Sequence, residues 1–313
     1  MSRTTRGRSP LRRRTAIWRR RAERLPPAVR GLLWAVLSGW LFILLNTVMR
    51  TLAMQMSPFQ VQFLRYAASL ALLLPLVLRA GPSGWRPAYI GGHVVRGVLH
   101  AVGLTVWFIA LPHVPMADQT ALGFTGPIFV MLGAWLFLRE RLRWDRWVAA
   151  LLGFCGVLIV VAPGLGRGGN TYSFVMLMAS PIFAASILLT KTLTRSDRPA
   201  LIVFWQALIV TACSLPLAAW NWTTPTAMQW LGFAVAGLLG SGGQYCTTRA
   251  LAVTDASGTQ SLKFLDLIWS ALMGWLVFSE VPTRTTLLGG AVISAATIWI
   301  ARREARQRAA ARG

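Results

Sequence analysis

Four polar side chains recur at helical spacing inside one otherwise apolar stretch: Gln260, Lys263, Asp266 and Ser270. Steps of three and four residues put them on one face of a helix. Lys263 and Asp266 carry opposite charges at i, i+3 and can neutralise each other. An ionisable group at the centre of a membrane helix costs about 2.5–3.5 kcal/mol on insertion scales, so it faces a cavity or a partner. The face reads either as a substrate-contacting stripe, with Asp266 as a proton carrier, or as an ion pair between packed helices. Trp269 beside it would supply an apolar wall. Arg65 lies about 9 Å inside the outer end of another apolar stretch. Its guanidinium can bind a carboxylate or phosphate, or its stem can carry the charge back to the interface. His100 sits near mid-depth of a glycine-rich stretch; it titrates near neutral pH, or it serves as a hydrogen-bonded packing residue. Trp107, Gln244 and Tyr245 lie on the same pair of glycine-rich stretches, which mark a transport path or close helix packing, and Gln206 is polar inside a further one. Trp107 and Tyr245 would supply apolar walls to a substrate cavity, Gln206 and Gln244 polar contacts. Asp118, just after Pro115, suits a first-turn carboxylate favouring the helix dipole.

Other chemistries lack their residues. The sequence has no phosphate-binding glycine loop, serine elbow or zinc helix motif, so ATP-driven work and those hydrolytic mechanisms are not expected. No carboxylate pair has a spacing suited to acid/base hydrolysis. Cys155, Cys213 and Cys246 lie unpaired in apolar stretches and read as buried apolar residues, neither a disulfide set nor a metal site. No cofactor and no metal site are expected.

Composition then decides what positions these residues. Of 313 residues, 55% are apolar and 13% charged, with a mean hydropathy of +0.54. A soluble domain carries about a quarter charged residues; this chain has too few to cover a water-facing surface. Ten apolar runs follow a polar tail: 31–49, 59–78, 92–111, 117–138, 147–163, 171–190, 200–220, 228–248, 257–278 and 285–301. Each approaches the ~20 residues that cross a bilayer as a helix. Hydrocarbon offers backbone groups no partner, which forces helices. The runs are apolar all round, without the alternation of a barrel strand. The predicted fold class is an all-α membrane protein with ten transmembrane helices. The run at 92–111 departs most from the pattern, because it holds His93, Arg96 and His100.

Charge gives the orientation. With both termini cytoplasmic, 27 basic residues fall on cytoplasmic segments, Arg96 counted among them, and 3 (Arg50, Arg167, Arg284) on the opposite side. That is the positive-inside pattern. The net charge of +23 therefore reads as a topology determinant lying against anionic lipid, and nucleic acid is not expected as a partner. Trp18, Trp144, Trp147, Trp220 and Trp222 fall at predicted span ends, as interfacial anchors do.

The sequence also repeats itself. A shift of 140 lays Ala110-Leu111 on Ala250-Leu251, Leu122 on Leu262, Phe124 on Phe264, Gly97 and Gly103 on Gly237 and Gly243, and Leu132 to Glu140 on Leu272 to Glu280. A shift of 141 lays Arg50-Thr51-Leu52 on Lys191-Thr192-Leu193 and Arg65 on Gln206. Five spans per half is an odd number, so the second half enters the membrane from the opposite side: two inverted five-helix repeats, as in many secondary transporters. Glu140 and Glu280 are repeat mates at helix ends, and structural pairing with nearby arginines is expected of them.

These residues, with Gly126-Pro127-Ile128-Phe129, Leu136 to Glu140 and Gly156-Val157-Leu158, resemble the EamA-type domain that occurs twice in the drug/metabolite transporter superfamily. The second half departs in carrying Leu267 beside Asp266 where the first has Pro127. The resemblance implies ten helices, an alternating-access carrier and a central cavity shared by both repeats. The expected organisation is a basic cytoplasmic tail at 1–30, repeats at 31–163 and 171–302, and a second basic tail at 303–313. The expected function is secondary transport of a small organic metabolite or amphipathic solute across the inner membrane. An anionic group on an apolar body fits the polar inventory, and a homodimer is left open. Two other readings stand beside it: an integral-membrane enzyme acting on lipid, and a flippase subunit or scaffold.

Overall fold

The computed structural model describes residues 26–81, 85–123, 125–139, 144–165, 171–220, 222–254, 265–280 and scattered positions between 284 and 303. The described residues are helical, with no strand among them. In chain order the helices are α1 (Pro27–Ala53), α2 (Pro58–Ala80), α3 (Ile90–Ala110), a 3-10 turn (Leu111–His113), α4 (Met116–Gly123), α5 (Thr125–Leu138), α6 (Trp144–Leu165), α7 (Thr171–Leu193), α8 (Pro199–Trp220), α9 (Ala227–Val253) and α10 (Leu265–Phe278). The predicted run at 117–138 falls on α4 and α5, and residue 124 between them lies outside the described residues. By length and composition, four helices are long and apolar enough to cross a membrane: α1, α3 with its 3-10 turn, α7 and α8. Other helices turn apolar side chains outward as well: Leu78 on α2, Phe137 on α5 and Leu238 on α9 are each more than 60% exposed, an arrangement suited to lipid and not to water.

Helix starts follow local chemistry. Pro58 and Pro199 open α2 and α8, where the missing N–H has no intrahelical partner to lose. Thr226 caps α9: its hydroxyl accepts the Gln229 N–H at 3.3 Å while Gln229 Oε1 accepts the Thr226 N–H at 2.9 Å, a reciprocal box.

Contacts between helices obey a twofold relation. Exchanging α1 with α7, α2 with α8 and α3 with α9 carries the pair α1–α9 onto α7–α3 and α2–α9 onto α8–α3. The α2–α8 pair maps onto itself. Those two mates lie antiparallel, since Gln62 meets Ser214 and, one turn along α2, Tyr66 meets Gln206. Single residues repeat the relation. A Cβ at Gly97 would meet Ile209 at 2.6 Å, and one at its mate Gly237 would meet Ala68 at 2.9 Å. Pro75 and Pro216 lie inside α2 and α8 at matching places. Arg139 and Ser279, mates after α5 and α10, both have positive φ, 54° and 56°, uncommon for residues with a Cβ.

One sequence assignment is corrected here. Arg96 does not belong to a cytoplasmic link. It is 2% exposed within α3, because Nε donates to Thr190 Oγ1 at 2.5 Å, Nη2 to Gln206 Oε1 at 2.6 Å and Nη1 to the Ile202 carbonyl at 3.3 Å. Neighbouring helices thus supply the partners that water would otherwise supply. His93 is likewise buried and meets Asp197 at 2.9 Å. Residues 1–25, Glu140, Arg167, Gln260 and Lys263 lie outside the described residues.

Candidate functional site

A cavity of about 220 Å³ opens where the two halves meet. Seven helices supply its wall. α1 gives Phe42, Asn46 and Met49; α2 gives Arg65; α3 gives His100, Trp107 and Phe108. Gln119 comes from α4, Phe183 from α7, Gln244 from α9 and Asp266 from α10. The α1 residues follow steps of three and four, one face of a helix.

Five predicted site residues therefore converge: Arg65, His100, Trp107, Gln244 and Asp266. Gln206 stands one layer behind. It is 1% exposed, accepts from Arg96, and its amide lies 3.5 Å from the Tyr66 hydroxyl. Tyr245 points elsewhere, edge-on to Trp34 at 6.1 Å and beneath Arg249 at 5.6 Å. Tyr245 is turned by about 100° from Gln244 along α9, and that turn carries its ring to Trp34 instead of the cavity. Trp269 is 39% exposed and packs edge-on against Trp40 at 4.8 Å. Sequence reasoning missed Asn46 and Phe183 and read Gln119 only as a helix-end residue. An amide at helical spacing from Phe42 and Met49 was the available signal for Asn46.

The polar wall is a connected network. His100 Nε2 lies 3.1 Å from the Tyr66 hydroxyl and Nδ1 3.3 Å from the Ser186 hydroxyl. Tyr66 leads to Gln206, Gln206 to Arg96, and Arg96 to Thr190. His100 thus lines the cavity while both ring nitrogens have partners, as a hydrogen-bonded packing residue does. Trp107 and Phe183 stand edge to face at 6.2 Å, a geometry that aromatic pairs favour.

Arg65 differs from Arg96. It is 3% exposed, so it does not reach the interface. Its guanidinium carbon lies 4.3 Å from the Tyr66 ring centroid, a cation–π contact. Nε and Nη1 have no hydrogen-bond partner, and a buried donor left so costs about 1–3 kcal/mol. Behind it is Gly240, where a Cβ would sit 2.7 Å from Nη2, so a larger residue there would displace the guanidinium. Asp266 is seated in the same way against α1, where a Cβ on Gly39 would overlap Oδ1.

An ion pair flanks the cavity beyond Met49. Arg50 Nη1 meets Glu280 Oε1 at 2.7 Å, Glu280 Oε2 accepts the Met116 N–H at 3.3 Å, and Arg50 covers the Phe278 ring at 4.4 Å. The pairing expected of Glu280 is present, and it ties α1, the start of α4 and the end of α10. Lys191, the repeat mate of Arg50, donates to the Leu251 and Thr254 carbonyls at 2.8 and 2.7 Å. Among the described residues, no group of three His, Cys, Asp or Glu side chains gathers to hold a metal ion.

A cavity lined from both halves of an apolar helical protein is what the resemblance implies, and comparison with known proteins gives the family. The EamA-like transporter family model matches residues 29–162 and again 170–302. The chain belongs to the EamA-like transporter family. It is 36% identical over 284 residues to a riboflavin transporter of Rhizobium johnstonii, covering 90% of this chain and 93% of that one. It is 30% identical to an S-adenosylmethionine uptake transporter of Rickettsia bellii, covering 84% and 92%. A pseudopaline exporter of Pseudomonas aeruginosa is 29% identical over 87% of this chain and 96% of its own. A solved crystal structure, 18% identical, superposes with a TM-score of 0.71 over 87% of this chain and 98% of that one, which shows the shared fold. This EamA-like protein is a multi-pass membrane transporter and not an enzyme.

Proposed function

We propose that this EamA-like protein is a secondary transporter that carries a heteroaromatic metabolite across the inner membrane by alternating access. Ten helices form two inverted repeats, 31–163 and 171–302, with both basic tails in the cytoplasm. Rocking of one bundle against the other opens the cavity to each side in turn. The observation that carries the reading is the cavity itself: its wall is drawn from both halves and pairs aromatic rings with a few convergent polar groups. The antiparallel repeat mates α2 and α8 and the division of basic residues, 26 to 3 once Arg96 is taken out of the cytoplasmic count, support the topology. Trp107 and Phe183 offer a ring its apolar faces; Asn46, Gln119, Gln244 and Asp266 offer its polar edge hydrogen bonds.

The relatives supply the class. Riboflavin and S-adenosylmethionine are both ring systems bearing a polar chain, and such a solute matches this wall. Direction is free to run either way, since the relatives include uptake transporters and an exporter. The test is transport by the full chain in proteoliposomes, with labelled riboflavin and S-adenosylmethionine as first substrates. Accumulation above empty vesicles is expected, and Trp107→Ala should reduce it several-fold without loss of reconstituted protein. Vesicles that move neither of these solutes nor the acids below would contradict the reading.

A further inference from the structure

We propose that Arg65 is the specificity-determining residue of this cavity and receives an anionic oxygen group, carboxylate or phosphate, of the transported solute. The assignment rests on the reading of the cavity as the substrate site and adds the charge of the substrate to it.

Three observations carry it. First, Arg65 lines the cavity and is 3% exposed, yet Nε and Nη1 donate to nothing. Buried charges are held by partners, and among the described residues no carboxylate lies within ion-pairing distance of this one. The missing acceptor is therefore one that comes and goes. Second, the guanidinium is held in place without being neutralised. The Tyr66 ring lies beneath it and the bare backbone of Gly240 lies behind it, so its unused donors are fixed before a ligand arrives. Third, the surroundings are cationic. Arg96, one layer back, spends its donors on Thr190, Gln206 and the Ile202 carbonyl, all neutral, so its charge also stands uncompensated by those contacts. Two guanidinium groups thus lie on the His100 side of the cavity, and Asp266 is the one described carboxylate on its wall. A neutral carbonyl would satisfy the donors but leave the charge. An anionic oxygen satisfies both, and charge-assisted hydrogen bonds of this kind are about twice as strong as neutral ones.

The substrate is then an aromatic acid or ester phosphate, its ring against Trp107 and Phe183 and its anionic end at Arg65. Matched pairs test this in proteoliposomes holding the full chain: riboflavin with riboflavin 5′-phosphate for the phosphate, and indole-3-acetamide with indole-3-acetate for the carboxylate. The wild type should prefer the anionic member of at least one pair by about tenfold, the scale of one charged hydrogen bond, and the pair preferred tells carboxylate from phosphate. Arg65→Gln should abolish that preference, read as the anion-to-neutral ratio of rates, and Arg65→Lys should retain part of it. Gly240→Ala keeps the guanidinium but displaces it, so it should weaken the preference in a protein that still elutes as a single species. Wild-type transport of the neutral members as fast as the anions overturns the assignment and leaves the transporter reading standing. A preference that survives Arg65→Gln, or Gly240→Ala if the glutamine variant aggregates, overturns it equally. Failure to move any member of either pair removes the ring-binding cavity and this assignment together.

Discussion

Asp266 reaches the cavity because Gly39 leaves room for it on α1. A carboxylate in such a place serves either as a fixed counter-charge or as a titrating group, and Asp266→Asn separates the two from a bystander. The variant should insert and reconstitute normally, yet transport more slowly or with an altered pH dependence in an assay run across a pH series. Unchanged transport at every pH removes Asp266 from the site. At this scale the sequence was partly legible. Charges in apolar stretches stand out, so Arg65, His100 and Asp266 were found by cost alone. Asn46 and Gln119 carry no such flag, and the side-chain direction of Tyr245 and Trp269 depends on neighbours that only packing supplies. Gln206 was read from its polarity as a polar contact of the cavity; instead it accepts from Arg96, a pairing across helices that no local pattern encodes.

Many polar contacts join helices across the two halves, and the Arg50–Glu280 pair is the one best placed to close an end of the cavity. It links α1, α4 and α10 through a charge pair, a backbone N–H and an aromatic ring. Glu280 is 29% exposed at its side chain, so solvent screens it and the pair is worth about 1 kcal/mol, not the several of a fully buried one. Glu280→Gln should therefore lower the melting temperature only slightly. It should instead raise the reactivity of a cysteine placed at Asn46 toward an impermeant thiol reagent added from the outer side. The exchanged variant Arg50→Glu with Glu280→Arg should bring reactivity back toward the wild type; a rate unchanged by Glu280→Gln would show that the pair closes nothing. The sequence pointed to this pairing, because Glu280 follows a repeated motif. It did not reveal that Arg139 and Ser279 share a left-handed turn, since neither is a glycine, and the turn is imposed by where the helix ends must go.

For the whole molecule, the fold was the most legible property. Apolar runs long enough to span, too few charges for a water-facing surface and a 140-residue repeat are constraints imposed by lipid on every residue, and they survive where motifs do not. Helix ends were less so: α1 begins at Pro27 and α9 runs to Val253, beyond the predicted 31–49 and 228–248, because a helix continues past the hydrocarbon once its backbone bonds are satisfied. On the alternating access proposed above, the exchange of α1, α2 and α3 with α7, α8 and α9 would give two states their physical basis: a seam that packs one way could pack in the mirrored way with little change in contacts. Substrate chemistry was not legible, since it resides in a handful of side chains brought together from seven helices. The central claim is that the cavity faces each side of the membrane in turn. Its most direct test is a single cysteine at Asn46, with Cys155, Cys213 and Cys246 replaced, in right-side-out and inside-out vesicles, with cysteines at Arg167 and Arg195 as markers of the outer and inner faces. The account predicts labelling of position 46 from both sides, slowed by transported solute in each, while 167 reacts only from outside and 195 only from inside. Labelling of position 46 from one side alone, indifferent to solute, would contradict it.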